Sequence, residues 1–352
     1  MDSMFDKALY YPTIEIKSEG WLKSAILFWN RIETLVPENM DGPYKKHTEC
    51  LLEEAGLLYP HRIDPNSSVT DGLEEDILTY MRTKEGLRSL TSSFFMRAST
   101  SFDVRYGQKR NVLEKEYGAF YDKVNSFSDE VKERINRFTT HDGSVSVGRT
   151  FMHFYMTLLA NRICQQNDMV LLTERVVLND LSSNVLLAGM SGNDSDADRQ
   201  GVVCKVVLEG IKLDPSTPVE SIIRFKEDRA DLLEWLRRAV SGLVVFDGTG
   251  MTAGDIEETV KRQYSNAVMP VVSDLQSALT DAALHWYSEK SAYTMSGVVS
   301  CDATLDGEPN PVAVGENAEV ILTPVRFRPG LSGQIENKPY TFLLKTGRVV
   351  NR

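Results

Sequence analysis

Two adjacent stretches near the start of the chain decide its fold class: Ala8-Leu-Tyr-Tyr-Pro-Thr-Ile-Glu-Ile16 and Trp21-Leu-Lys-Ser-Ala-Ile-Leu-Phe-Trp-Asn-Arg31. The first is rich in β-branched and aromatic residues and predicts a strand, in which Pro12 marks an edge, a strand end or a bulge. The second repeats apolar residues at helical spacing and follows Ser18, a favoured N-cap residue. Together they predict a strand followed by a helix.

The next thirty residues continue this alternation. Ile32–Pro37 is a short apolar run that predicts a second strand, and Pro43 is placed to open a helix that runs to Ala55. Gly56 follows where a left-handed helix cap is expected, and Leu57–Ile63 predicts a third strand. The order β-α-β-α-β is typical of a small α/β layer.

The middle of the chain is predicted to be rich in helix, over residues 70–138 and again over Phe151–Gln166. Met169–Leu172 predicts a buried strand. The polar run 189–200 is the best candidate for a boundary, so we expect an N-terminal part over 1–190 and a C-terminal part over 201–352.

The C-terminal part is predicted to be helical first and rich in strands at its end. Val202–Leu208 predicts a strand, and Thr217-Pro-Val-Glu220 has the pattern of a capping box before a helix. Thr252-Ala-Gly-Asp255 suggests a similar helix start, and Pro270 interrupts the continuation toward Trp286. Three further strands are expected at Val298–Thr304, Glu319–Val325 and Tyr340–Leu344. The whole chain is therefore expected to be α+β, a mixed α/β protein.

Composition excludes several classes of function. The 352 residues carry a formal net charge of −11 and are 42% hydrophobic, the mix of an ordinary globular protein. The acidic balance does not favour a nucleic-acid-binding surface, although a local basic groove is compatible with it. No secretory signal or membrane-length apolar run occurs, and the four cysteines stand singly, as expected in a reducing cytoplasm.

Motifs that commonly carry chemistry are incomplete in this chain. Leu243-Val-Val-Phe-Asp-Gly-Thr-Gly250 is similar to a phosphotransferase motif but has Val245 where the nucleophilic aspartate belongs. Asp194, Asp196 and Asp198 have the spacing of a calcium loop without its glycine and final glutamate. No histidine pair or nucleotide-binding loop is present, so no cofactor is predicted.

One segment keeps a catalytic hypothesis open. The apolar helix, the short strand and Thr173-Glu174 resemble a segment of PIN-type nucleases, in which several carboxylates hold a divalent metal for phosphodiester hydrolysis. The resemblance implies Glu174 and Asp180 as metal ligands, with Glu15 as a more distant partner. The first strand does not end in the aspartate that such nucleases carry.

Three segments together resemble a bacterial family of unknown function. They are Ala8-Leu-Tyr-Tyr-Pro12 with Trp21-Leu-Lys23, Phe28-Trp29 and Leu35-Val-Pro37; Leu159-Ala160 with Leu172-Thr173; and Val219-Glu-Ser-Ile-Ile-Arg-Phe225 with Arg229 and Asp231-Leu232. Lys338-Pro-Tyr340 is similar to the family's C-terminal end. The resemblance implies a bacterial, cytoplasmic protein without an assigned activity. Such orphan proteins often belong to anti-phage defence loci, and we carry that role as an analogy.

Two classes of function follow. The first, which we favour, is a non-catalytic subunit or recognition protein that contacts another protein or a second copy of itself, without a membrane. The aromatic residues Tyr10, Tyr11, Trp21, Phe28 and Trp29 form either its core or an exposed partner surface. The second class is the metal-dependent nuclease or phosphodiesterase with Glu174, Asp180 and Glu15.

Overall fold

The computed structural model describes residues 5–11, 13–38, 40–63, 73, 78, 101–104, 145–174, 199–244, 251–300, 310–313, 318–327 and 347–349. The described strands are β1 (Lys7–Tyr10), β2 (Arg31–Pro37), β3 (Leu58–Ile63), β4 (Ser101–Val104), β5 (Val145–Gly148), β6 (Val170–Leu172), β7 (Arg199–Leu213), β8 (Trp286–Ser300), β9 (Asn310–Ala313), β10 (Ala318–Phe327) and β11 (Gly347–Val349). The described helices are α1 (Glu19–Phe28), α2 (His47–Glu54), α3 (Arg149–Asn167), α4 (Val219–Asp228), α5 (Ala230–Val244), α6 (Ala253–Gln263) and α7 (Met269–Asp281), with a π-helical turn at Tyr264–Val268 between the last two.

The N-terminal part forms a parallel sheet in the order β3-β2-β1-β6. Ala8 of β1 pairs with Ile32 of β2 on one side and with Val170 of β6 on the other. The predicted β-α-β-α-β unit is therefore confirmed, and the helix-strand pair α3–β6 adds the fourth strand. Because β2 and β3 lie on one side of β1 and β6 on the other, the chain reverses its winding direction between β1 and β6.

Two predicted boundaries in this unit are wrong. The first strand ends at Tyr10, so Ile14 and Ile16 lie outside it, although both are buried. The second helix begins at His47, four residues after Pro43. The hydroxyl of Tyr44 lies 2.9 Å from Thr34 Oγ1 on β2, so this buried tertiary contact fixes the segment before the helix. Gly56 has φ +71°, which confirms the predicted left-handed cap.

Helix α1 lies at the centre of the protein. Every residue from Gly20 to Phe28 is buried, including Lys23 and Ser24. The predicted cap is confirmed, because Ser18 Oγ accepts a hydrogen bond from the backbone N–H of Trp21 at 3.2 Å. A helix that is buried on all sides needs partners on both faces, and here they are the parallel sheet and the C-terminal helices.

The end of β7 packs closely on the first turn of α1. A Cβ at Gly20 would lie 3.0 Å from the carbonyl oxygen of Leu213, so a glycine is required for this approach. The Oγ of Ser24 accepts the N–H of Leu213 at 2.8 Å and donates to the carbonyl of Gly20 at 2.6 Å. Lys23 donates to the carbonyl of Pro215. These contacts join the N-terminal and C-terminal parts at the backbone.

The C-terminal helices share an apolar core with α1, and α4 packs on α1 directly. Phe225, Leu236, Val240 and Leu275 belong to the same continuous core as Trp29 and Ile32. The predicted division into 1–190 and 201–352 stays a prediction, and the described residues of both parts share this core.

One of the two predicted helix starts is wrong. At α4 the N-cap is Pro218, and the hydroxyl of Thr217 is buried without a hydrogen-bond partner. The turn before the helix, in which Asp214 accepts the N–H of Ser216 at 2.8 Å, places Pro218 at the N-cap. The predicted capping box needs Thr217 at that position, so the helix begins one residue later than predicted. At α6 the start is confirmed, because Thr252 and Asp255 form a reciprocal capping box.

The C-terminal strands form an antiparallel sheet in the order β11-β10-β7-β8, with β9 also paired to β10. The predicted strands at Val202–Leu208 and Glu319–Val325 lie within β7 and β10. The predicted strand Val298–Thr304 coincides with the end of β8 as far as Ser300, and its last four residues lie outside the described residues. Tyr340–Leu344 lies outside the described residues.

Little of the middle of the chain is described. Within the predicted helical stretch 70–138, Leu73 and Leu78 are helical and β4 pairs with β5 in a two-stranded sheet. The boundary run 189–200 lies outside the described residues except for its last two, which open β7. The protein is nonetheless a mixed α/β protein, as predicted. In the part of the chain that the structure describes, no helix has the length and apolar character of a membrane span.

Candidate functional site

The carboxyl ends of β1 and β6 lie side by side at one edge of the parallel sheet, and this edge is the first candidate for a site. In open parallel sheets, ligands bind outside the carboxyl ends of the strands where the winding reverses. Here that edge is formed by the loop from Tyr11 to Ser18 and by Thr173 and Glu174. The fold therefore brings Glu174 and Glu15, two of the three predicted site residues, to one edge of the sheet.

Glu174 caps the N-terminus of α1. Its Oε2 accepts the backbone N–H of Ser18 at 3.0 Å, and its Oε1 accepts the N–H of Lys17 at 3.3 Å. The hydroxyl of Tyr10 donates to the same Oε1 at 3.0 Å. A carboxylate at this end of a helix satisfies free N–H groups and opposes the positive end of the helix dipole. These contacts are those of a residue that positions α1 relative to β6.

A second carboxylate, that of Glu49 of α2, binds the backbone N–H of Ile16, next to those bound by Glu174. The sequence did not indicate this residue. Its Oε1 accepts the N–H of Ile16 at 3.1 Å, while its buried Oε2 has no hydrogen-bond partner. Burial raises the pKa of Glu49, against the opposing effect of Lys46, whose Nζ lies 3.9 Å away. The available signal was its position three residues before the buried Leu52, which places both on the inner face of α2.

The two carboxylates together occupy three consecutive N–H groups of the loop, those of Ile16, Lys17 and Ser18. Such N–H groups at a helix start are a common binding site for phosphate. In this protein the carboxylates of Glu49 and Glu174 take the positions that a bound phosphate would take at such a site. These hydrogen bonds attach the loop to α2 and to the end of β6 and fix the start of α1.

The predicted carboxylate site is described only in part. Glu15 is exposed, and its main-chain carbonyl accepts a hydrogen bond from Thr13 Oγ1 at 2.9 Å. Asp180 lies outside the described residues. Among the residues with described positions, no group of three or more His, Cys, Asp or Glu side chains is arranged to hold a metal ion. The metal site of Glu174, Asp180 and Glu15 stays a prediction.

A second cluster of charged groups lies on the strands β2 and β3. Glu33 of β2 is buried, its Oε2 lies 2.7 Å from Nδ1 of His61, and its Oε1 lies 2.8 Å from Arg31 Nε. Burial raises the pKa of Glu33, but the His61 hydrogen bond and the Arg31 charge outweigh it, so the pKa lies below its ordinary value. Arg31 also stacks on Tyr59 at 3.6 Å. The buried carboxylate of Glu33 is thus paired with Arg31 on its own strand and with His61 on β3.

The N-terminal aromatic residues are core and not a partner surface. Tyr10, Tyr11, Trp21, Phe28 and Trp29 are all at most 5% exposed. Their rings contact one another, as Tyr10 and Trp21 do at a centroid distance of 5.2 Å. The cluster therefore gives no support to a binding function.

An exposed tryptophan lies elsewhere, on α5. Trp235 is 58% exposed, whereas Trp21 and Trp29 are buried and Trp286 packs partly on the core. Asp231, Arg238 and Gly242 are also exposed and lie on the same side of α5. We call these four residues the Trp235 face. Among the residues whose burial is described, the other large exposed apolar side chains are Met269, the first residue of α7, and Tyr287, the second residue of β8. Both elements contact α5.

Comparison of the chain with protein families, with curated proteins and with solved structures finds no match. The resemblances drawn from the sequence therefore stay predictions, and the function has to be argued from the geometry.

Proposed function

We propose that this chain is a non-catalytic subunit or recognition protein that acts by binding another protein, and that the Trp235 face of α5 is the contact. The observation that carries the proposal is the 58% exposure of Trp235 in a chain that shields its other three tryptophans. Leaving a ring of this size in water forgoes much of the free energy that its burial would contribute.

The composition of the Trp235 face suits a protein contact. Tryptophan and arginine are the residues that most often dominate the binding energy of protein interfaces. Arg238 lies one turn from Trp235 and pairs with Glu234 at 2.9 Å, which holds its guanidinium along the helix surface. A Cβ at Gly242, two turns along the same side of α5, would meet nothing within 4 Å, so the helix surface is open at that end of the Trp235 face.

The experiment is affinity capture of the tagged chain from cells that carry its neighbouring genes. We expect one stoichiometric protein that survives moderate salt with the wild-type chain. Trp235→Ala is expected to reduce its recovery at least tenfold, since a central interface tryptophan contributes about 2 kcal/mol or more. Arg262→Ala, which changes an exposed residue of α6, is the matched control and should bind as the wild type does.

The result that contradicts the proposal is equal recovery of the partner by the wild type and Trp235→Ala, or recovery of the chain alone. Both variants change exposed residues, so their free energies of unfolding should stay within about 0.5 kcal/mol of the wild type. The cytoplasmic location and the place in an anti-phage defence locus belong to the same proposal and rest on the sequence alone.

A metal-dependent phosphodiesterase is the second candidate. The observation in its favour is that Glu174 and Glu15 lie at the edge of the sheet where ligands bind in this type of fold. Its test is hydrolysis of single- and double-stranded nucleic acid with Mg²⁺ or Mn²⁺. Metal-dependent cleavage that Glu15→Ala or Asp180→Ala abolishes without loss of stability supports it, and the absence of cleavage removes it.

A further inference from the structure

The C-terminal end of α1 is held by two cationic side chains from the other part of the chain. Lys226 of α4 donates from Nζ to the carbonyl of Trp29 at 2.7 Å and also to the carbonyl of Ile26. Arg237 of α5 donates from Nε to the carbonyl of Phe28 at 2.9 Å. The last carbonyls of a helix have no partner within the helix, and cations are favoured there.

The two cations also oppose each other. Lys226 is partly buried and Arg237 is buried, so both lose much of their hydration. Burial, and to a lesser degree the charge of Arg237, lower the pKa of Lys226 to about 7. Burial also lowers the pKa of Arg237, against the opposing charges of Glu234 and Asp6, but an arginine side chain keeps its charge in proteins. Lys226 is therefore the member of the pair that can release its proton near neutral pH.

Among the described residues, no acidic side chain pairs with Lys226 or acts to hold its proton. Helix α4 packs on α1, α2 and α5. The charged group on α5 that acts on Lys226 is Arg237, and Glu234 pairs with Arg237 at 3.9 Å. From α2, Glu53 and Glu54 are not among the charges that shift Lys226. Within the described residues, the proton is opposed by burial and Arg237 and favoured only by the α1 carbonyls.

We propose that Lys226 is a pH-sensitive contact between the N-terminal and C-terminal parts, which weakens the packing of α4 on α1 when it gains a proton. The unprotonated amine still donates hydrogen bonds to the α1 carbonyls without placing a second positive charge beside Arg237. Acidification through neutral pH restores that charge. The contact then carries an internal repulsion that the unfolded chain does not.

The sign of the effect follows from proton binding. Between about pH 7 and the ordinary lysine pKa of 10.5, the unfolded chain binds a proton at Lys226 that the folded chain does not. Stability therefore rises with pH through this range and is lower, by a constant amount, below about pH 7. At most, the unfolding equilibrium constant falls about tenfold for each pH unit from this group.

The test is urea unfolding of the full chain at several pH values from 6 to 9. Lys226→Met and Lys226→Arg cannot titrate in this range, the first without charge and the second with a permanent one. We expect both to lose the part of the pH dependence that the wild type owes to Lys226. Lys261→Met, which changes an exposed lysine of α6, is the control and should keep the wild-type pH dependence.

A direct titration keeps the proposal testable if a variant does not fold. Carbon-13 NMR of the lysine Cε groups in the wild-type chain should show one resonance that titrates near pH 7, well separated from the others. If all lysine resonances titrate near pH 10, or if Lys226→Met has the pH dependence of the wild type, the proposal is wrong.

Discussion

At the scale of single residues, the most informative side chain is Glu174. It follows a short strand, and a sequence pattern alone indicates a metal ligand or an ordinary turn residue. In the structure it accepts three hydrogen bonds, two of them from the N-terminus of α1. These contacts assign it a positioning role that depends on the fold and on Ser18 being the helix cap.

We expect Glu174→Gln to lower the free energy of unfolding by about 1–3 kcal/mol, because it removes a charge that accepts backbone N–H groups at a helix N-terminus. Glu15→Gln makes the same change at an exposed position of the same loop and should have an effect within about 0.5 kcal/mol. Urea unfolding at pH 7 measures both. Equal effects of the two substitutions, or Mg²⁺ stabilisation that only Glu174→Gln loses, would contradict the capping role.

Local signals in the sequence predicted local contacts correctly at several positions. Ser18 caps α1, Gly56 has a positive φ and Thr252 begins a capping box. Thr217 did not follow its motif, because a tighter turn at Asp214 moved the helix start. Glu49 was missed because its spacing from Leu52 indicates a buried position only once the inner face of α2 is known.

At the scale of elements, α1 shows how much of the fold depends on close backbone contact. The carbonyl of Leu213 lies against Gly20, and the N–H of the same residue is bound to Ser24. This fixed backbone leaves no room for a larger side chain at position 20. In contrast, Gly242 of α5 faces open space, although it too lies inside a helix.

The two glycines therefore make a matched pair. Gly20→Ala is expected to destabilise the protein by about 1–3 kcal/mol, because the added methyl group presses on a backbone carbonyl that cannot move easily. Gly242→Ala is expected to stabilise it by about 0.5–1 kcal/mol through the better helix propensity of alanine. Chemical unfolding at one pH measures both, and a stabilising Gly20→Ala would show that β7 does not approach α1 as described.

The elements that the sequence predicted best are those with a strong period of their own. The strands and helices of the first sixty residues were predicted in their correct order. The strand β10 was predicted at Glu319–Val325, within its observed bounds. The start of α2 was wrong because the contact between Tyr44 and Thr34 overrides the proline signal. The start of β8 at Trp286 was missed because its first residues, Trp286-Tyr-Ser-Glu-Lys290, do not alternate strictly between apolar and polar, so no period separates strand from helix there.

At the scale of the whole molecule, charges from distant parts of the chain hold the two ends of α1. Glu174 lies at its N-terminus, and Lys226 and Arg237 lie at its C-terminus. The residues that meet there are about 200 positions apart in the sequence, as for Lys226 and Ile26. Sequence periodicity contains no information about such pairs, so the central place of α1 and the contacts of Glu174, Lys226 and Arg237 with its ends were not predicted, although the Ser18 cap was.

The aromatic cluster of the N-terminal part, which the sequence left open between core and partner surface, is decided by the packing of the whole molecule. A cluster of aromatic residues in the sequence is ambiguous between core and surface, and the N-terminal cluster is core. Trp235 lies within an amphipathic helix and gives no separate signal in the sequence. Its exposure becomes visible only when the neighbours of α5 are known.

The most direct test of the central claim is site-specific photocrosslinking in cells, with benzoylphenylalanine in place of Trp235 and, as the control, in place of Arg262. We expect one defined crosslinked protein at position 235 and none at position 262. The same protein should be the one that affinity capture recovers with the wild-type chain. No crosslink at position 235, or the same crosslinks at both positions, would contradict the claim that the Trp235 face binds a protein partner.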